Sequence, residues 1–275
     1  MSKNTYAFIG AGNMGGAIIK AVCRAIAPTD VCIFDRDSKK TRELSERTGC
    51  LVAESAEEAI RGAHFVVLCV KPKVLPSAIE ELAPALSGYV GSEKKTIVSI
   101  AAGVTVDAIK SMLLKSGLEL PVVRLMPNTP VAVGKGMILT MPSADVTDEE
   151  LSMLNTALAE SGAVEPFDEA IVDAATPVFS CSPAFVYMFI EALADGGVMS
   201  GVPRDKAQAM AAQAVMGSAA MVLESGKHPG ALKDEVCSPG GSTIVGVEEL
   251  EKAGFRAAVA SAVFEAYKKT TQLGK

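Results

Sequence analysis

The residues Gly10-Ala11-Gly12-Asn13-Met14-Gly15 follow a short apolar run, TYAFIG. They lead into a segment with Met14, Ile18, Val22 and Ile26 about one helical turn apart. A G-x-G-x-x-G spacing at a strand-to-helix junction suits the pyrophosphate of a dinucleotide. Gly10 permits the tight turn, Gly12 lets phosphates approach the backbone, and Gly15 lets the helix pack close to the strand. The open N–H groups of the helix start, from Asn13 onward, then face the anion. Asp35 ends the next apolar run, DVCIFD. A carboxylate there accepts hydrogen bonds from an adenosine ribose and favours NAD, whereas a guanidinium such as Arg36 holds a 2′-phosphate. The expected cofactor is therefore NAD(H) or NADP(H). Lys39 and Lys40 beside Arg36 equally suit a solvated helix start.

A second glycine-rich stretch, CSPGGSTIVG, runs from Cys237 to Gly246 and carries no charge. Its residues Gly240, Gly241, Ser242 and Thr243 precede a helical pattern with Ile244, Val247 and Leu250 on one face. Small side chains leave the first-turn N–H groups open. With the helix dipole they form an anion site that needs no lysine and that a carboxylate fits. The Thr243 hydroxyl can reach one neighbouring atom. The same residues also suit a plain cap after a Pro-Gly-Gly turn.

Both stretches need elements to hold them. TYAFIG, DVCIFD, HFVVLCV, KTIVSIAAG and PVVRLMP read as strands, the third so evenly apolar that both its faces should be buried. Helical patterns alternate with them: SKKTRELSERTG, capped by Ser38 and ended by Gly49; KPKVLPSAIEELAPAL; and VTVDAIKSMLLKSG. GMILTMP and AVEPF read as further edge strands around the helix TDEELSMLNTALAESG. Strands alternating with helices predict a parallel, doubly wound Rossmann-type sheet over about residues 1–165. Cofactor contacts then fall at the carboxyl ends of the strands, at Val70-Lys71-Pro72, at Ala101-Ala102 and at Asn128.

From about Asp168 the strand signal stops and six helical pieces follow, making an all-α domain over 166–275. Pro203 suits a helix start and Gly226 a helix end. AQAMAAQAVMGSAAMVL is apolar on nearly all faces, which predicts a buried helix, and a second copy of the chain is the expected cover.

The chain has 275 residues and a net charge of −6. It has no basic block, so a nucleic-acid partner is not expected. No uninterrupted apolar run reaches about 18 residues, so no membrane span is expected. The N-terminus enters a strand pattern almost at once, without a leader pattern. Cys23, Cys32, Cys50, Cys69, Cys181 and Cys237 form no C-x-x-C pair, and the reading is a reduced, cytoplasmic protein without metal. His64 and His228 read as surface or capping residues.

The stretch HPGALKDEVCSPGGSTIVGVEELE, His228 to Glu251, resembles the signature of the pyrroline-5-carboxylate reductase family. FIGAGNMGGAI, VKP, SIAAGV, MPNTP, VGKG, EALADGGVMSGVPR and AQAMAAQAVMGSA are similar to that family in the same order along the chain. The resemblance implies a cytosolic oxidoreductase that reduces 1-pyrroline-5-carboxylate to proline with NAD(P)H, the last step of proline synthesis. It implies a Rossmann domain joined to a helical dimerisation domain, with dimers able to assemble further. On that footing the carboxylate of the substrate sits on Gly240 to Thr243, and Thr243 is the residue expected to hydrogen-bond the ring nitrogen. One segment departs from the family's Ser-Gly-Ser-Gly-Pro-Ala-Tyr: this chain has Phe179-Ser180-Cys181-Ser182-Pro183-Ala184-Phe185. The chain also resembles the two-domain plan of β-hydroxyacid dehydrogenases. It lacks the lysine that family places on the first long helix of its second domain, since no lysine lies between Lys135 and Lys206.

Overall fold

The computed structural model describes residues 5–88 and 95–273. The chain divides between Ala175 and Thr176: one compact unit runs up to Ala175 and takes in the chain from Thr270, and the other is Thr176–Lys269.

The first unit is built on eight strands, β1 Tyr6–Ile9, β2 Val31–Phe34, β3 Leu51–Val52, β4 Phe65–Leu68, β5 Thr96–Ser99, β6 Val122–Pro127, β7 Gly136–Pro142 and β8 Gly162–Pro166. Their order across the sheet is β3-β2-β1-β4-β5-β6-β7-β8. The pairs from β3 to β6 are parallel, and so is β7 with β8. β7 runs antiparallel to β6, because a short helical turn, Thr129–Val133, folds the chain straight back onto it. The expected doubly wound parallel sheet thus carries one antiparallel pair, at GMILTMP, whose direction the sequence left open. β7 is also an inner strand, so of the two expected edge strands only β8 lies at an edge, with β3 at the opposite one.

Side chains alternate along each strand, so one strand feeds two cores. Phe8, Val67, Val98 and Val123 face one cluster, with Ile18 and Val22 of α1 (Asn13–Ala25) and Leu154 of α6 (Asp148–Leu158). Ala7, Val66, Ile97 and Val122 face the other, with Ile60 of α3 (Ala56–Arg61), Ile79 of α4 (Leu75–Leu86) and Ile109 of α5 (Val106–Lys115). β3 and α3 escaped the sequence reading, because two residues of strand and six of helix are too short to show a period. The cap of α2 (Ser38–Thr48) is Asp37, not Ser38: its carboxylate accepts from the Lys39 N–H at 3.2 Å. Gly49 ends that helix at φ 79°, as expected.

Beyond β8 the chain stays tied to the sheet unit. Glu169 accepts from the Val106 N–H and from the guanidinium of the buried Arg124, each at 2.9 and 2.8 Å. These bonds are one reason the division falls at Ala175 and later than the residue 165 expected from the loss of strand signal.

The second unit is helical. After α7 (Val172–Thr176) a π-helical turn covers Pro177–Cys181, within the segment that departs from the family pattern. Then follow α8 (Ser182–Met199), α9 (Arg204–Ser225), α10 (Pro229–Val236), α11 (Ser242–Lys252) and α12 (Phe255–Leu273). α8 and α9 meet through Ala194, Ala207 and Ala211. A Cβ on Gly197 would lie 3.2 Å from the Ala207 methyl, so small residues set this close approach. Within the single chain α9 is not buried, and the expected cover, a second copy, lies outside it. Met210, Met216, Met221 and Leu223 are exposed, Leu223 at 84%.

Candidate functional site

The parallel register levels the ends of the central strands. Ile9 lies opposite Phe34 and Leu68, and Leu68 lies opposite Ser99. Gly10, Asp35, Val70 and Ala101 therefore emerge along one edge of the sheet. At Gly10, φ is +105°, and a Cβ would meet the Cys69 carbonyl oxygen at 2.9 Å. At Gly15 a Cβ would lie 2.7 Å from the Gly10 oxygen and 2.8 Å from the Cys69 Cβ. At Gly12 a Cβ would meet nothing within 4 Å. One glycine serves the turn, one serves packing, and the middle one leaves space.

That space opens on the start of α1. Gly12 is its cap residue and no side chain bonds over the helix start. The first-turn N–H groups of Asn13, Met14 and Gly15 have no partner within the helix. The adjoining cavity, about 370 Å³, is lined by Ala11, Gly12 and Asn13 and by the charged residues Lys20, Lys40, Arg47 and Glu43, three cations to one anion. This geometry and charge fit a pyrophosphate. Asp35 fixes the loop: its Oδ2 accepts from the Ala11 N–H at 2.7 Å and its Oδ1 from the Asp37 N–H at 2.9 Å. The Cys69 thiol beneath the loop is pushed up to about 12 by burial, so it acts there as an inert packing group.

Beside the loop lies a cavity of about 540 Å³, lined by Gly10, Asp35, Arg36, Val70, Val74, Ala78 and Glu81 among others. Its apolar wall suits a flat base. Lys71 is exposed and precedes the short turn Pro72–Val74, closed by a 2.8 Å bond from the Val74 N–H to the Lys71 carbonyl. One strand over, Ala101 and Ala102 lead into Gly103, where φ is +75°. Asn128 also has a structural role: its Oδ1 accepts from the Met137 N–H at 2.8 Å and braces the β6–β7 crossover. Val74, Ala78 and Glu81 were not singled out from the sequence. Their i, i+4, i+7 spacing after Pro72 was the available signal.

In the second unit the CSPGGSTIVG stretch forms a tight turn and then α11. The Gly241 N–H donates to the Ser238 carbonyl at 3.0 Å, with Pro239 second and Gly240, at φ +68°, third in the turn. The expected anion site is narrowed by this, because the Gly241 N–H is engaged in the turn. Gly241 is the cap residue of α11 and no side chain bonds over the helix start, which leaves the N–H groups of Ser242 and Thr243 as the donors. Both residues are exposed in the single chain.

His64 donates to Glu150 at 3.1 Å from just before β4, at the opposite end of the sheet from the glycine loop. His228 caps α10, its Nδ1 accepting from the Gly230 N–H at 3.0 Å. Glu191 and Asp195 are exposed on α8, and Asp195 pairs with Arg204.

Two family models match the chain. One, described as pyrroline-5-carboxylate reductase dimerisation, covers residues 169–273. The other, described as NADP oxidoreductase, coenzyme F420-dependent, covers residues 5–103. The pyrroline-5-carboxylate reductase of Escherichia coli is 41% identical over 98% of this chain and 97% of its own. That of Pisum sativum is 38% identical over 98% and 96%. A crystal structure of the Plasmodium falciparum pyrroline carboxylate reductase with NADP bound superposes with a TM-score of 0.84 at 31% identity, over 100% of both chains. By length and composition the stretch Glu169–Met199 could cross a membrane, with a mean hydropathy of 1.4. It lies inside the dimerisation match, which offers another cover for its apolar face.

Proposed function

The chain belongs to the pyrroline-5-carboxylate reductase family, and on that premise we propose how its residues divide the work of reducing 1-pyrroline-5-carboxylate to L-proline. The glycine loop at Gly10, Gly12, Asn13, Met14 and Gly15 holds the pyrophosphate of NADP(H) or NAD(H). Asp35, Arg36 and Val70 flank the adenosine, and Lys71, Pro72, Ala101, Ala102 and Asn128 border the rest of the cofactor. When bound, the cofactor supplies a hydride to the carbon of the C=N bond.

The second glycine turn holds the substrate. The N–H groups of Ser242 and Thr243, aided by the helix dipole, receive the carboxylate. Gly240 shapes the approach and Gly241 presents its backbone without a side chain. The Thr243 hydroxyl hydrogen-bonds the ring nitrogen, which keeps its proton while the carbon gains the hydride. A protonated imine is already electrophilic, so orientation carries most of the rate. The absence of a histidine or paired carboxylates among these residues agrees with that.

The observation that carries this reading is the pair of uncapped, glycine-led helix starts, α1 beside cations and α11 within an uncharged stretch. NADPH and NADH oxidation in the presence of pyrroline-5-carboxylate, measured in parallel, tests it. Turnover with at least one coenzyme is expected, and a pure protein inert with both would end it.

The exposed methionines and leucine of α9 support a homodimer formed through the helical unit, with further assembly of dimers. Light scattering at micromolar concentration should give at least twice the chain mass, and a monomer would refute it. The six cysteines, all free thiols, support a reduced, cytoplasmic setting.

A further inference from the structure

Arg36 stands on the divide between two cavities at the end of β2. One is the 540 Å³ cavity under α4. The other, about 600 Å³, is lined by Ser38, Thr41, Arg42 and Ser45 of α2, and Asp35 and Arg36 line both. The guanidinium is drawn to one side. Its Nη2 donates to both carboxylate oxygens of Glu81, at 2.8 and 3.0 Å. The α2 side has its own acid: Asp37 caps that helix and pairs with Lys40 at 3.4 Å. The hydrogen bond from Lys40 holds the Asp37 carboxyl below its ordinary value. The guanidinium is thus held by Glu81 on the α4 side, one residue along the chain from Asp35, the carboxylate placed to meet a ribose.

We infer that Glu81 is a positioning residue for cofactor choice: by holding Arg36 against α4 it weakens recognition of a ribose 2′-phosphate relative to a 2′-hydroxyl. This rests on the dinucleotide reading above. A released Arg36 offers a forked donor to a phosphate. A phosphate meeting the held Arg36 must first displace a carboxylate of its own sign. The two side chains are 74% and 62% exposed, and exposed pairs are weak, so the preference is graded and not absolute.

Calorimetric binding of 2′,5′-ADP and of 5′-AMP to the full chain tests this without turnover. In Glu81→Gln the affinity for 2′,5′-ADP relative to 5′-AMP should rise roughly two- to tenfold. The NADPH-to-NADH ratio of kcat/KM should move the same way. In an Arg36→Ala background most of that change should vanish. An unchanged ratio in Glu81→Gln, an equal rise without Arg36, or no binding of either nucleotide to the native chain would each overturn it. Failure of the reductase reading shows separately, as bound nucleotides with no coenzyme oxidation on adding the imine.

Discussion

The chain begins two helices, α1 and α11, from glycine-rich turns, and the surroundings of those glycines differ. At α1 the glycines are wedged into the sheet: Gly10 and Gly15 each lie where a Cβ would press on backbone or on Cys69. At α11 a Cβ on Gly240 would meet nothing within 4 Å, although φ there is +68°, and one on Gly241 would meet only Ser238 of its own turn. The first set is demanded by packing as well as by ligand access. Backbone conformation alone demands Gly240. A binding loop that is part of the core cannot be altered without altering the fold, whereas an exposed helix start can be.

Four substitutions test this contrast, beginning with the largest effect. Gly15→Val forces a side chain against the Gly10 carbonyl. Overpacking of this kind costs about 3 kcal/mol or more, a fall of roughly 6–12 °C in Tm for a unit of this size, and dinucleotide binding should fail with it. Calorimetry and coenzyme titration would show both, and a stable variant with intact binding would mean that α1 is not held by this contact.

Gly12→Ala separates ligand access from packing. The methyl group meets no protein atom but enters the space left for phosphate. Coenzyme affinity should drop roughly 5- to 100-fold while Tm stays within a few degrees. A Tm loss equal to that of Gly15→Val would erase the distinction.

At α11, Thr243→Val should leave Tm unchanged, because the residue is exposed. It should lower kcat/KM for the imine by about tenfold, the worth of about one hydrogen bond. Full activity would remove Thr243 from the chemistry.

The smallest effect lies at the far end of the sheet. Burial pushes the Glu150 carboxyl up, but hydrogen bonds from Thr96, Thr147 and His64 outweigh it and the net shift is downward. A group lowered in the folded state contributes stability above its ordinary value of 4.5 and loses it as pH falls through the folded value. Glu150→Gln should therefore lower Tm slightly at neutral pH and flatten its acid-side decline, without touching coenzyme affinity. An unchanged decline would show that the His64–Glu150–Thr96 cluster adds nothing to stability.

Much of the fold was legible because its signals are local. HFVVLCV marks a doubly buried strand by apolar continuity alone, and the glycine spacing at Gly10, Gly12 and Gly15 carries its own steric logic. The helices of the second unit start and stop near their sequence marks, with Gly226 ending α9 at φ 64°. The reversed direction of β7 was not legible, since an alternating run has the same pattern either way. The brace that Asn128 gives the β6–β7 crossover was not legible either, since only folding brings the Met137 N–H to its side chain. Glu81 carried no mark of function because it reaches Arg36 from 45 residues away.

Which stretches become strands and helices, where phosphates meet bare backbone, and the family likeness were all readable along the chain, because each depends on residues within a few positions of one another. Which donors stay open at α11, which way Arg36 leans, and how much of α9 remains exposed emerged with the folded arrangement. These depend on contacts between distant residues, where packing and charge choose among partners that local sequence leaves equal.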